Sequence, residues 1–396
     1  MAEHTGAGQP ATEPVGTREA GVTGPAHVSL PRARRMGLAV VLALIAALAG
    51  LGILAQFLRP HLPDELSFLS LLLGYPLTPR PENSVPRLIW LAVAAAALPL
   101  VCYWLLVGLR RVLPPRGALF AAFMLGWACT AMGMLVSGPL ALWGVGGYWP
   151  GYIGQPLPVS LTGPGSGMWL LAFGWIGGAA AAVTYARTAR AVPPAAEVPT
   201  NSRPYATAGV AALVLTLLLL ATGAMARNRA IAKDVLNPLF ALRFPEPLSS
   251  SWLPDDDPTR HVLLDVVALM ALIVFAAVAL VLLLGTTLRR VRPRGSGSAV
   301  FVLGWGCAVL VTGATGLLRE GAFFLADRFT SGTTSVWSAF GMADGVNAGL
   351  LTGWLVGLVT LTAHLWLRPA EGSTPETDTP LDFAHDPNLG RPSHPR

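Results

Sequence analysis

The sequence predicts an all-α integral membrane protein in which about eight transmembrane helices form two parallel tandem four-helix repeats. Three observations lead to this prediction. The 396 residues are 53% hydrophobic and only 12% charged, whereas about a quarter of the residues in a soluble domain are charged. Eight apolar runs are long enough to cross a ~30 Å hydrocarbon layer as helices. Several short sequences of the first half also return, in the same order, in the second half.

The apolar runs are predicted to be helices, because backbone groups in lipid must form their hydrogen bonds within the segment. The alternation of polar and apolar residues that is typical of barrel strands is absent from them. The eight predicted spans are Met36–Phe57, Leu88–Leu109, Ala118–Val136, Met168–Ala186, Ala206–Ala226, Val262–Leu284, Ala299–Leu317 and Val346–Leu367.

Charges between the spans predict the orientation. The loops after spans two and six carry clusters of arginine without any acid, whereas the charges of the first outer loop cancel. Because cytoplasmic loops are enriched in basic residues, both termini are predicted to be cytoplasmic in a multi-pass protein of the cell (plasma) membrane. The arginines of these two loops are Arg110, Arg111, Arg116, Arg289, Arg290, Arg292 and Arg294.

Composition divides the chain into five predicted segments. The terminal segments are poor in apolar residues and are predicted to be disordered, and a short segment rich in Pro and Ala joins the two groups of spans. The segments are 1–35 (cytoplasmic N-terminus), 36–190 (first membrane repeat), 191–205 (cytoplasmic linker), 206–368 (second membrane repeat) and 369–396 (cytoplasmic tail).

The internal repeat has a spacing of about 170 to 180 residues. Leu125-Gly126-Trp127-Ala128-Cys129 returns as Leu303-Gly304-Trp305-Gly306-Cys307, and Gly174-Trp175 returns as Gly353-Trp354. A repeat with an even number of spans keeps its orientation in the membrane. The halves are therefore predicted to be related by a pseudo-two-fold axis along the membrane normal.

Several classes of function are not predicted. The net charge of +6 is explained by the loop arginines rather than by nucleic-acid binding. The chain contains no HExxH, GxGxxG or P-loop sequence, and we predict neither a cofactor nor a metal site. The cysteines Cys102, Cys129 and Cys307 all lie in spans, where they are interpreted as small buried hydrophobic residues.

Acidic residues near the outer face are the candidate catalytic groups. Asp265 and Asp344 also fit a second interpretation, in which each carboxylate caps a helix N-terminus. The segment from Leu62 to Leu66 resembles the acidic first outer loop of membrane glycosyltransferases that use lipid-linked sugar donors. That resemblance implies a carboxylate acting as a base. The candidates are Asp64, Glu65, Asp234, Asp265, Glu320 and Asp344.

The middle of every predicted span lacks Asp, Glu, Lys and Arg, and Pro99 is the one predicted interruption of a span interior. Carriers coupled to ions generally need charged groups or broken helices at this depth. We therefore predict transport or handling of an apolar or lipid-like ligand in a pocket between the repeats. Two alternatives stay open: an accessory subunit bound to a membrane protein partner, and a membrane enzyme acting at the outer face on a lipid-linked or apolar substrate. The oligomeric state is left open.

Overall fold

The structure is a computed structural model that describes residues 28–61, 85–114, 117–146, 164–189, 203–227, 258–291, 297–330 and 338–367. Within these ranges every regular element is a helix. The α-helices are α1 (Leu30–Leu58), α2 (Val85–Gly108), α3 (Leu119–Gly146), α4 (Pro164–Phe173), α5 (Trp175–Ala189), α6 (Pro204–Arg227), α7 (Pro258–Arg289), α8 (Gly297–Thr330) and α9 (Ser338–Trp366). A short 3-10 turn follows α1 and another follows α2.

The described residues contain eight helical stretches long and apolar enough to cross a membrane. They coincide with the eight predicted spans, and α4 and α5 together form the fourth. The predicted all-α, multi-pass membrane architecture is therefore confirmed.

One face of α7 shows why this bundle needs a lipid environment. Five large apolar side chains, spaced three or four residues apart, are each more than half exposed along this helix. A soluble protein rarely exposes a continuous apolar strip of this length, whereas hydrocarbon chains cover it readily. These side chains are Val267, Met270, Val274, Val278 and Leu282.

Each half of the chain forms a ring of four spans. In the first half α1 packs on α2, α2 on α3, α3 on α5, and α5 on α1. In the second half α6 packs on α7, α7 on α8, α8 on α9, and α9 on α6. The central helices are α3 and α8, since 72% of the apolar window of each is buried, against 17% for α1 and 22% for α7. They contact each other and join the two rings.

The two ends of the bundle differ in charge. The end at which α1, α3, α6 and α8 begin is called the arginine end, because seven exposed arginines lie there among the described side chains. These are Arg34, Arg35, Arg111, Arg187, Arg203, Arg289 and Arg290. The opposite end is called the acidic end, because the four acids within the described ranges lie in its helices, where arginines such as Arg319 and Arg328 lie as well. These are Asp265, Glu320, Asp327 and Asp344.

Several helices extend beyond the apolar runs that predicted them. Asp265 lies seven residues after the start of α7, and Asp344 lies six residues after the start of α9. The interpretation of these two carboxylates as N-terminal caps is therefore wrong. Glu320 lies inside α8, which continues to Thr330. Hydropathy marks the lipid-embedded part of a helix, while the backbone ladder continues into polar sequence wherever neighbouring helices support it.

Some predictions fall outside the described residues. They include the terminal segments 1–27 and 368–396, most of the predicted linker (190–202), and the acids Asp64, Glu65 and Asp234. The first predicted segment, 1–35, overlaps α1, which begins at Leu30.

Candidate functional site at the break in the fourth span

The third and fourth spans of each half pack through matching glycine–phenylalanine contacts. An ideal Cβ on Gly178 of α5 would lie 2.8 Å from the Phe123 carbonyl oxygen and 3.0 Å from its ring. An ideal Cβ on Gly357 of α9 would lie 2.7 Å from the Phe301 carbonyl oxygen and 3.1 Å from its ring. Phe301 follows Phe123 by 178 residues, and Gly357 follows Gly178 by 179. The two helix pairs are therefore packed alike at corresponding positions.

The glycines of α9 that recur every four residues, Gly345, Gly349, Gly353 and Gly357, form a stripe that is covered by α8. Ideal Cβ atoms would lie 3.2 Å from Gly313 Cα at Gly345, 2.5 Å from Val309 Cα at Gly349, and 2.6 Å from the Trp305 ring at Gly353. Small residues let two helices approach this closely in a membrane, and van der Waals packing then holds them together. The stripe is thus a packing surface within the second half and does not line a ligand pocket.

The two halves touch at corresponding residues of α3 and α8. Ala128 and Gly306 occupy the same position of the repeated Leu-Gly-Trp motif. An ideal Cβ on Gly306 would lie 3.0 Å from Ala128 Cα and would also overlap the Ala128 methyl group. At this level the backbones of α3 and α8 approach so closely that only the Ala128 methyl group lies between them.

The fourth span, Trp169–Thr188, is interrupted at its sixth residue, Gly174. The Gly177 N–H donates to the Gly174 carbonyl at 3.2 Å, a bond to the third residue back instead of the fourth. The Trp175 indole N–H donates to the Ala172 carbonyl at 2.6 Å. Broken helices inside a membrane are tolerated where such donors satisfy the freed carbonyls. An ideal Cβ on Gly174 would overlap the Leu170 carbonyl and lie 2.8 Å from Leu170 Cδ1, so this geometry requires glycine.

The two pieces of the fourth span pack on different halves. α5 packs on α3 and α1 of its own half, whereas α4 packs mainly on α9 of the second half. Leu171 of α4 reaches the α8–α9 pair, because an ideal Cβ on Gly313 would lie 2.6 Å from Leu171 Cδ1 and 2.8 Å from Val346 Cγ2. The junction of α4, α8 and α9 is the candidate functional site.

Buried polar side chains lie close to this junction. Thr312 and Thr315 of α8 are fully buried, and their hydroxyls donate to carbonyls of their own helix, that of Thr312 at 2.9 Å from Ala308 and that of Thr315 at 2.8 Å from Val311. Asn347 of α9 is 2% exposed. The junction is thus mainly apolar, with a few buried polar groups.

The candidate acids of the second half lie near the same end but at different depths. The glycine contacts place Gly349 beside Val309 and Gly353 beside Trp305, which fixes the antiparallel register of α8 and α9. In this register Asp344 is level with Ala314, and Glu320 lies about 9 Å further toward the acidic end at 1.5 Å per residue. Asp265 lies on α7, which packs against α8. Asp344 is therefore the acid nearest to the candidate site along the α8–α9 pair.

A buried arginine fastens α1 to α5 at the arginine end. Arg32 is 7% exposed, and its guanidinium lies 5.0 Å from the centre of the Tyr185 ring. Its Nε donates to the Thr188 hydroxyl at 2.6 Å and its terminal nitrogen donates to the Tyr185 carbonyl at 3.0 Å. The Tyr185 hydroxyl donates to the Pro114 carbonyl at 2.7 Å and accepts from the Ala118 N–H at 3.3 Å. This cluster fixes α5 independently of α4.

Tyr185→Phe is expected to lower stability by about 1–3 kcal/mol, because it leaves the Pro114 carbonyl and the Ala118 N–H without their buried partner. Thermal unfolding in detergent checks this. Tyr205→Phe is the control, since Tyr205 lies at the same end of the bundle and is 43% exposed. Equal losses in both variants would contradict the assignment.

The cysteines of the spans and the tryptophans of the repeated motif pack against neighbouring residues inside the bundle. Cys102, Cys129 and Cys307 are buried, and the Cys102 thiol donates to the Cys129 carbonyl at 3.2 Å. Trp127 is buried and Trp305 packs on Gly353. No group of three metal-binding side chains lies together within the described ranges.

Sequence reasoning missed two features of the structure, the break in the fourth span and the buried arginine of α1. Pro99 was the predicted interruption, but α2 runs through it from Val85 to Gly108. The break lies instead at Gly174, and the signal available was the Gly174-Trp175 pair. That signal is ambiguous, because Gly353-Trp354 lies in the unbroken helix α9. The burial of Arg32 was missed because it precedes the apolar run of the first span.

Comparison with known proteins adds no family to this description, because no protein-family model, curated protein or solved structure matches the chain.

Proposed function

We propose that this protein binds and transports an apolar or lipid-like molecule at the junction of α4, α8 and α9. The observation that carries the proposal is the break at Gly174, whose two helical pieces pack on different halves of the chain. Binding sites of membrane transporters typically lie at the interface between halves and are built around discontinuous helices. The apolar lining, with Leu171 and Val346 beside Gly313, favours an apolar ligand over a charged solute.

The proposal includes two parallel tandem repeats related by a pseudo-two-fold axis along the membrane normal. The equivalent ring order of the two halves supports it, as do the matched contacts of Gly178 and Gly357. The contact of Gly306 with Ala128 supports it further, because residues on a two-fold axis meet their own counterparts. The arginine end is proposed to face the cytoplasm of a cell whose plasma membrane holds the protein, with both termini on that side.

The break explains how such a protein would move its ligand. α5 is fixed to the first half by Phe123 and by the Arg32 cluster, and α4 is fixed to the second half by α9. A change in the angle between the halves is therefore absorbed at Gly174. Hinges of this kind need only a few residues that tolerate changed dihedral angles.

Gly174→Ala is the variant that tests the proposal. The added methyl group overlaps the Leu170 carbonyl, so the break must straighten or shift, and α4 can no longer pack on α9 as it does now. The full chain is reconstituted in liposomes with a phospholipid that carries a photoreactive diazirine on one acyl chain. We expect crosslinks to peptides of α4 and α9 in the wild type and at least a tenfold loss in Gly174→Ala.

Gly50→Ala is the matched control, because an ideal Cβ there contacts nothing within 4 Å. It is expected to crosslink as the wild type does. Crosslinks spread evenly over the exposed faces of α1 and α7, with no change in Gly174→Ala, would show that the probe reports only lipid around the protein and would overturn the proposal.

A specific observation also favours the accessory-subunit alternative. α8 extends from Gly297 to Thr330, and its apolar window ends at Arg319, so about three turns continue past it at the acidic end. A helical segment that continues beyond the apolar window suits contact with a second membrane protein. Co-purification of a partner that is lost when residues 320–330 are replaced by a short Gly-Ser linker would support it.

A further inference from the structure

Two helix pairs at the arginine end are closed by the same type of contact. In the first half, an ideal Cβ on Gly37 of α1 would lie 2.7 Å from the ring of Tyr103 of α2. In the second half, an ideal Cβ on Gly285 of α7 would overlap the ring of Tyr205 of α6 and lie 2.7 Å from its Cε1. In the first half the glycine lies on the first span and the tyrosine on the second, whereas in the second half the order is reversed. Both contacts join the first two spans of a half near the arginine end.

Each contact brings arginines of two helices to one junction. Arg34 lies three residues before Gly37 in α1. Arg111 lies in the 3-10 turn that follows α2, next to the start of α1. Val28 N–H donates to the Leu113 carbonyl, which confirms that these two helix ends are adjacent. Arg203 lies two residues before Tyr205, and Arg289 lies one turn after Gly285. All four side chains are exposed.

Exposed apolar side chains continue from each junction toward the middle of the membrane. Leu38 is 54% exposed and Trp104 is 71% exposed beside the first junction. Leu282 is 55% exposed and Val210 is 43% exposed beside the second. Each junction therefore offers cations at headgroup level and an apolar surface at acyl-chain level.

We propose that these two junctions, α1–α2 and α6–α7, are binding sites for the headgroup phosphate of an anionic phospholipid, one in each half. Arginine pairs with phosphate oxygens through two parallel N–H donors. Basic pockets between transmembrane helices on the cytoplasmic side bind anionic headgroups by this chemistry. A free phosphate would use the arginines alone, whereas a phospholipid also covers the apolar surface beside each junction. This proposal is independent of the break at Gly174.

Native mass spectrometry of the full chain from nanodiscs that contain phosphatidylglycerol and phosphatidylcholine tests the proposal. The wild type is expected to retain two phosphatidylglycerol molecules. Arg34→Gln/Arg111→Gln and Arg203→Gln/Arg289→Gln are each expected to retain one, and the quadruple variant none. Each lost arginine is expected to weaken binding about fivefold, so a double variant binds its lipid about 25-fold more weakly.

Controls separate this result from general charge effects. Arg187→Gln removes an exposed arginine of the same end that lies at neither junction, and it is expected to keep both lipids. Arg→Lys at each pair keeps the charge but loses the paired N–H donors, so it is expected to bind each lipid more tightly than the glutamine variant and more weakly than the wild type. It covers the case in which a glutamine variant fails to fold. Gly174→Ala is also expected to keep both. Equal losses in Arg187→Gln, or equal retention of phosphatidylcholine, would overturn the proposal.

Discussion

Gly349→Ala is expected to give the largest loss of stability of any single methyl addition discussed. The new methyl carbon would lie 2.5 Å from Val309 Cα and 3.2 Å from Val309 N. Both atoms belong to the backbone of α8, and the methyl group would also overlap the Thr312 hydroxyl. Because the backbone cannot move aside as a side chain can, the α8–α9 pair must separate. Overpacking of a close-packed interior typically costs about 1–3 kcal/mol, and this site lies in the most extensive helix contact of the fold.

The thermal midpoint of the purified chain in detergent measures this loss. Gly209→Ala is the control, because Gly209 lies in α6 with nothing within 4 Å of an ideal Cβ. That variant is expected to unfold at the wild-type temperature or slightly above it, since alanine is the better helix former. A Gly349→Ala protein as stable as Gly209→Ala would contradict the packing described for α8 and α9.

Gly306→Ala is expected to cause the second large loss of stability. The recovery of stability in a double variant is the more informative part of the test. The added methyl group meets the Ala128 methyl group where the two halves touch. The single variant is expected to lose about 1–3 kcal/mol by the same overpacking. In Ala128→Gly/Gly306→Ala the two residues are exchanged, so one methyl group again lies between the helices and most of the stability should return.

Ala128→Gly alone serves as the reference for this cycle, and it is expected to lose about 1 kcal/mol through the helix propensity of glycine. If the losses of the two single variants simply add in the double variant, the residues do not contact each other. The proposed axis between α3 and α8 would then be wrong.

The eight spans could be predicted from hydropathy alone, because each must be apolar over the thickness of the hydrocarbon layer. Close packing of another helix on the glycine stripe of α9 could also be predicted, since Gly345, Gly349, Gly353 and Gly357 recur every four residues. The sequence left open whether that helix belongs to the same half or to the other one, and whether the stripe lines a ligand pocket instead. Both signals are local, and local periodicity decides which face of a helix packs.

The break at Gly174 could not be predicted, because tertiary contacts decide it. Gly174-Trp175 and Gly353-Trp354 are the same dipeptide in corresponding spans, yet one ends a helix and the other lies within one. The two dipeptides differ in the helix on which the segment before them packs. α4 turns away to pack on α9, whereas the corresponding part of α9 stays on α8, where Gly353 packs on Trp305.

The helix ends near the acids could not be predicted either. Asp344 lies just before the predicted apolar run that starts at Val346, and an acid in that position is typical of a cap. In the structure α9 already begins at Ser338, which places Asp344 inside the helix.

Native mass spectrometry of the full chain released from its own membrane tests the central claim most directly, because it reports small molecules and protein partners together. Besides the two phospholipids proposed for the arginine end, we expect the wild type to hold one further apolar or lipid-like molecule that is lost in Gly174→Ala and kept in Gly50→Ala. A stoichiometric protein partner with no such further molecule, or retention of the further molecule by Gly174→Ala, would contradict the proposed transport site at the break in the fourth span.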